Sequence, residues 1–240
     1  MATRMAAQLW AAPVCPWAQR ATIAVVETGA PFEYKTVDLH NKSEEFVALY
    51  RRIACDAAAT AKVPVLVDGE LAITESPVVA EYVLRKYGAD KGIIPADPAV
   101  LARARLFAEL FVANVTAAQG GILKSDSQAK LAEAAEQMAA ALKVVDAFLL
   151  SQGSSEGGSF FLGGTYSIAE VLTTSLLHRA ITYTKAYRGV DLWQLAQERG
   201  LSRVEAWMKV ALERPSAKQT MPDEVVLLEH GRKFTVPMKD

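Results

Sequence analysis

Residues 8–88 divide into short pieces by their own punctuation, and that division constrains the fold more than any other feature of the chain. Gln8 to Ala11 is an apolar run of strand length. Pro16 suits the first turn of a helix. The stretch after it carries Ile23, Val26 and several alanines, and it closes at Gly29 ahead of Pro31. Phe32 to Val37 alternates as a second strand. Ser43 to Arg52 reads as helical, with Phe46, Leu49 and Ile53 on one stripe. Val63 to Val67 and Leu71 to Ile73 flank Asp68-Gly69, a turn pair that signals a hairpin. Ser76 as N-cap and Pro77 as first helical residue open a further helix, which ends near Tyr87 at Gly88. The order β-α-β-α-β-β-α predicts a small mixed sheet flanked by helices.

The character changes at residues 89–98, where Gly92, Pro95 and Pro98 break every periodicity. We place a domain at 1–89, a linker at about 90–97 and a second, all-helical domain at 98–240. Ala99 to Gln119 reads as one long helix closed by Gly120-Gly121. Gln128 to Leu150 is another, with Leu131, Met138, Leu142 and Leu149 at helical spacing. Ser151 to Ser159 is rich in glycine and serine and reads as a mobile loop. Ser167 and Glu170 fit a capping box, with Tyr166 and Val171 as the hydrophobic staple around it. Two shorter helices follow, Leu192 to Arg199 and Leu201 to Glu213, and Arg214-Pro215 ends the second.

A net charge of -1 gives no electrostatic case for nucleic acid. No uncharged apolar run reaches the ~18 residues of a membrane span. The two cysteines, Cys15 and Cys55, make neither a disulfide framework nor a zinc site by spacing, which points to a reducing, cytoplasmic setting and to no metal. Arg4 and the apolar stretch after it do not read as a leader peptide, because Pro13 and Pro16 interrupt the run.

Cys15 precedes Pro16 at the start of the first helix. Helix N-termini favour negative charge, and the thiolate is the reactive form of cysteine. Two readings stand on the residues alone: a nucleophilic or redox thiol, or a small buried hydrophobe. Ala18 occupies the position where a second cysteine would make a dithiol, so a reactive Cys15 would need an external thiol. Pro64 opens an interior strand, which suits a cis peptide that exposes the backbone of Val63 to a peptide-like ligand; a plain edge-strand proline is the alternative. Glu75 offers an acceptor to an ammonium group. Ser76 offers a hydroxyl and helix N-terminal amides to a carboxylate, or serves only as a cap.

Four segments together resemble the cytosolic glutathione transferases: Cys15-Pro16-Trp17-Ala18-Gln19-Arg20, Lys62-Val63-Pro64-Val65-Leu66, Glu75-Ser76 and Ser167-Ile168-Ala169-Glu170. The first is similar to the cysteine-type omega and lambda branches. The resemblance spans nearly the whole chain. It implies a thioredoxin-like N-terminal domain that binds glutathione, and an all-helical C-terminal domain that walls an acceptor site. It further implies that Cys15 forms a mixed disulfide with glutathione, that Val63 pairs with the cysteinyl backbone of glutathione before a cis Pro64, and that Glu75 and Ser76 hold its γ-glutamyl end. Lys42, after Asn41, resembles a glutathione-contacting lysine. The segment Ala54 to Ala61 departs from the Asn-Pro turn usual there, and Cys55 lies in it with no assigned role. For the acceptor site, Trp17, Phe111 and Asn114 are the candidates.

The expected activity is glutathione-dependent thiol transfer or dehydroascorbate reduction, with glutathione as cosubstrate, a small oxidised or electrophilic molecule as its partner substrate, and a homodimeric assembly. Conjugation of glutathione to electrophiles, or its reductive removal from conjugates, is the alternative reaction. A non-catalytic protein of the same fold that binds ligands or partners is the alternative from another class.

Overall fold

The computed structural model describes residues 6–239; Arg4 lies outside them. The chain splits into two compact units, one of residues 1–94 with 219–221, the other of 95–218 with 222–240. The first unit holds β1 (Ala7–Ala11), α1 (Pro16–Thr28), β2 (Phe32–Thr36), α2 (Glu44–Ala54), β3 (Val65–Asp68), β4 (Leu71–Thr74) and α3 (Ser76–Tyr87). Its sheet runs in the order β2-β1-β3-β4, parallel between β1 and β2 and antiparallel elsewhere. This is the small mixed sheet flanked by helices that the punctuation predicts, and the thioredoxin-like α/β domain that the resemblance implies.

Local chemistry accounts for most of these boundaries. Gly29 stops α1 in the left-handed conformation at φ 68°, donating back to Val25 and Val26. The Ser43 hydroxyl accepts from the amide of Phe46 and caps α2. The buried stripe of α2 is Phe46 and Tyr50 rather than Phe46, Leu49 and Ile53, because Phe46 stacks on Trp10 of β1 with ring centroids 5.7 Å apart. Strand alternation sends Leu9 to the opposite face, where it is fully buried. α1 and α3 pack on each other through residues such as Ala18, Ala21, Val79 and Val83, all fully buried. Each large side chain so buried contributes about 1.5–3 kcal/mol.

Asp68 does more than shape the hairpin turn, which Gly69 makes at φ 64°. Its carboxylate accepts from Lys86 Nζ at 2.6 Å, Tyr82 OH at 2.9 Å and Tyr87 OH at 2.5 Å, all on α3. Burial works to raise its pKa. The three donors outweigh burial and hold the carboxyl below its usual range. The β3–β4 hairpin is thereby tied to the helix whose first turn carries Ser76.

The second unit holds α4 (Pro98–Phe111), α5 (Ala117–Lys124), α6 (Gln128–Gln152), α7 (Ile168–Arg188), α8 (Leu192–Glu198), α9 (Ser202–Glu213), α10 (Pro215–Thr220) and α11 (Glu224–Gly231). Between α4 and α5 the backbone passes through a π-helical turn, Val112–Thr116. By length and a mean hydropathy of 1.4, the run Pro98–Lys124 would also suit a bilayer. Here it is a core helix: Phe107 is fully buried, with its ring centroid 5.1 Å from those of Phe161 and Trp207.

Three expectations are corrected. Gly120-Gly121 does not close the long helix, which continues to Lys124; Gly121 lies beside Ala134 and Gln137 of α6. The Gly/Ser-rich loop is not loose. α6 runs on to Gln152, and the loop after it is closed by paired backbone bonds and by Arg203, which donates to the carbonyls of Ser154, Ser159 and Phe160. Arg214-Pro215 ends α9 but also starts α10, with Pro215 as first residue, and α11 follows.

The capping box at α7 is present. Glu170 is fully buried and accepts from the amides of Phe161 and Ser167, the Ser167 hydroxyl and Trp207 Nε1. Burial pushes its carboxyl pKa up, more strongly than these donors draw it down.

Candidate functional site

Within the first unit, Cys15, Trp17, Lys42, Val63, Glu75 and Ser76 line one cavity of about 480 Å³. Leu39, Ala61, Lys62 and Thr74 complete its lining. Residues as far apart in sequence as Cys15 and Ser76 thus meet at one place, where the ends of β1 and β4 turn into the first residues of α1 and α3.

Cys15 is the N-cap residue of α1, with extended backbone at φ -83° and ψ 116°. Its amide donates to the Ala12 carbonyl at 3.0 Å, closing the turn after β1. Its thiol is partly exposed. Ala18 is fully buried, so the position that would carry a second thiol in a dithiol motif is filled by a core methyl group.

The Val63-Pro64 peptide is cis. Val63 faces the cavity. Pro64 does not line it; it is buried, and its carbonyl accepts from Thr74 Oγ1 at 2.9 Å, which joins β3 to the end of β4.

Glu75 rather than Ser76 is the N-cap residue of α3, and Ser76 is its first helical residue. The Ser76 side chain is engaged by a residue distant in sequence. The Ser76 hydroxyl is 3.2 Å from Arg20 Nη1 and accepts from it instead of capping the helix. Glu75 has φ 69° and ψ 113°, a conformation that residues with a Cβ seldom adopt. Its side chain makes no capping bond and is exposed at the cavity.

Lys42 and Lys62 bring two ammonium groups to the lining and Glu75 one carboxylate. That arrangement suits an elongated ligand with carboxylates and an ammonium group at different points. Among the described residues, no group of three His, Cys, Asp or Glu side chains is placed to hold a metal ion.

Residues 5–85 match the family profile of the glutathione S-transferase N-terminal domain. The chain carries the N-terminal domain of the glutathione S-transferase family. Similarity extends beyond the matched residues. Over 218 residues the chain is 26% identical to Glutathione S-transferase U28 of Arabidopsis thaliana, covering 89% of this chain and 86% of the relative. Among solved structures, glutathione transferase Omega 2C from Trametes versicolor superposes with a TM-score of 0.76 at 26% identity, covering 96% of this chain and 99% of that one. The Tau class glutathione S-transferase MiGSTU from mango shares the fold with a TM-score of 0.79 at 21% identity, over 96% and 99% of the two chains.

The remaining candidate residues separate by their place in the structure. Trp17 lies at the cavity and is 37% exposed, with the Arg20 guanidinium 4.5 Å from its ring centroid. Phe111 is fully buried, its ring centroid 5.7 Å from that of Trp207, so the structure corrects its assignment: it is a core residue of the helical unit, with no free face for a ligand. Asn114 lies on the π-helical turn and donates to the Leu110 carbonyl at 2.8 Å. Cys55 is exposed at the end of α2 and does not line the cavity. Lys62 carried no role in the sequence reading, although its place next to Val63 pointed to it. Arg20 likewise stood in the first motif without a role.

Proposed function

We propose that this protein is a glutathione-dependent thiol transferase in which Cys15 carries the glutathionyl group. The observation that carries the reading is the composition of the cavity: one thiol at a helix N-terminus, no second thiol in the lining, and charged groups that match glutathione along its length. Glu75 would hold the ammonium group of the γ-glutamyl end. Ser76 and the free amides of the first turn of α3 would hold its α-carboxylate. Val63 would pair with the cysteinyl backbone, and Lys42 and Lys62 would attract the glycyl carboxylate. Trp17 is the acceptor-side residue at the cavity.

The chemistry follows from thiol–disulfide exchange. The Cys15 thiolate attacks the glutathione sulfur of a mixed disulfide, forming the Cys15–glutathione disulfide and releasing the substrate as its thiolate. A second glutathione thiolate then attacks that bond. Glutathione disulfide leaves with the two electrons' worth of oxidation, and the Cys15 thiolate is restored. With dehydroascorbate the same two glutathione molecules supply two electrons, and two protons complete the product.

The similarity to Glutathione S-transferase U28 over most of both chains favours a second reading, conjugation of glutathione to electrophiles. The two are separated by measuring disulfide reduction on hydroxyethyl disulfide and conjugation to chlorodinitrobenzene, in wild type and Cys15→Ala. Thiol transfer predicts that the variant loses disulfide reduction by at least about 100-fold, the scale of losing a nucleophile. Equal disulfide reduction in both proteins would remove the reading. Conjugation that survives or rises in the variant, without disulfide reduction in wild type, would establish the second.

A further inference from the structure

Val63 is buried and lines the cavity. Among the described residues, its backbone amide and carbonyl have no hydrogen-bond partner. A donor and an acceptor left open at a cavity wall suit a partner from outside the chain. They can recognise one only if the peptide edge that carries them keeps a single orientation.

Pro64 makes that orientation hard to hold. β3 begins at Val65, so Pro64 lies one residue outside the ladder. A proline has no N–H, and its carbonyl is its one backbone group that can be tied down. The peptide bond is planar and the ring fixes φ, so ψ of Pro64 is the soft dihedral between the Val63 edge and the sheet.

Thr74 restrains that dihedral. It pairs with Val65 at the end of β4, in the last pair of the ladder. Its hydroxyl reaches one residue further and donates to the Pro64 carbonyl at 2.9 Å. The bond fixes the peptide plane between Pro64 and Val65, and with it the angle at which the Val63 edge meets the cavity. A valine would fill the same place in a strand equally well, but it would leave the Pro64 carbonyl unpaired. Thr74 has one hydroxyl proton and gives it to Pro64. Although it lines the same cavity, it acts on a ligand through Val63 rather than as a donor of its own.

We propose that Thr74 is a positioning residue: by anchoring the Pro64 carbonyl it sets the angle of the Val63 backbone, and so the affinity for a peptide-like ligand that pairs with Val63. The inference rests on the proposed binding of glutathione at this site.

The test is calorimetric titration of wild type, Thr74→Val and Thr74→Ser with two ligands. One is glutathione. The other is its analogue N-methylated at the cysteinyl nitrogen, which cannot donate to the Val63 carbonyl. Thr74→Val is expected to weaken glutathione binding about 5–10-fold, the scale of one hydrogen bond. Thr74→Ser keeps the hydroxyl and stays within about twofold of wild type. The analogue, which wild type binds more weakly, loses less than about twofold in Thr74→Val, because the bond that the angle serves is already gone. Equal losses for both ligands, or a serine variant as weak as the valine variant, would overturn the inference and leave Thr74 a packing residue. If Thr74→Val does not fold, Thr74→Ala takes its place beside Thr74→Ser, since those two differ by the hydroxyl alone. Wild type that binds neither ligand would overturn the glutathione reading as well. Wild type and Thr74→Val that bind glutathione equally would overturn this inference alone.

Discussion

Glu75 shows most plainly how one residue can be shaped by a site rather than by its fold. At φ 69° and ψ 113° a glycine is less strained than a residue with a Cβ, and a side chain there costs about 1 kcal/mol or more. Nothing in the helix cap repays that cost, since the Glu75 side chain makes no capping bond. The residue is worth its strain if the carboxylate serves a ligand. Glu75→Gly is therefore expected to raise stability by about 1 kcal/mol while lowering glutathione affinity at least tenfold. Glu75→Ala, which keeps the strain, loses affinity equally and gains no stability. Urea unfolding and calorimetric titration of the two variants check this; a glycine variant less stable than wild type would contradict it. The pair Glu75-Ser76 was legible in sequence from the Ser-Pro start of a helix. The cap assignment failed because the bond that takes the serine hydroxyl comes from Arg20, a residue 56 positions away. Cys15 was legible for the opposite reason: its strand, its proline and its helix are all neighbours in the chain.

Elements were legible wherever their ends are set locally. Gly29, Ser43, the Asp68-Gly69 turn and the Ser167–Glu170 box each act within a few residues, and each appears where the sequence places it. Expectations failed where a distant partner decides. Gly120-Gly121 would stop an isolated helix, but α6 packs against it and the helix runs through. The glycines of the 151–159 loop suggested freedom, but Gly158 lies in close backbone approach to Gly163 and Gly164. A Cβ on Gly163 would stand 2.1 Å from the Glu156 carbonyl oxygen, at a φ of +67° that already disfavours one. The two glycine sets predict opposite outcomes. Gly163→Ala is expected to destabilise by about 3 kcal/mol or more, through both overlap and backbone strain. Gly120→Ala meets nothing within 4 Å and should stabilise by about 0.5–1 kcal/mol through helix propensity. Urea midpoints of the two variants measure this; similar midpoints would mean that the loop is as loose as its composition suggests.

At the scale of the whole molecule, the chain builds a glutathione S-transferase domain first and a helical unit after it, and then sends residues 219–221 back to the first unit. There Gln19 of α1, itself 2% exposed, donates to Thr220 Oγ1 at 3.0 Å. No periodicity in a sequence announces such a return, and α10, whose last residues make it, and α11 after it were missed for the same reason: Arg214-Pro215 reads as an end, while the packing that makes it also a beginning is distant. The order of the α/β unit and the character of the helical unit were legible, because burial periodicity is a local record of a global core. What gathers at the cavity is not local, and only the motif resemblance pointed to it ahead of the structure. The central claim is that Cys15 accepts a glutathionyl group, and mass spectrometry of the whole protein tests it most directly. Reduced protein is incubated with glutathione disulfide, quenched in acid and digested. Attack by the Cys15 thiolate should yield one glutathionyl group per chain, on the peptide that contains Cys15, with one glutathione released. The adduct should disappear with added reduced glutathione and be absent from Cys15→Ser. An unmodified Cys15 in protein that binds glutathione, or modification confined to Cys55, would contradict the account.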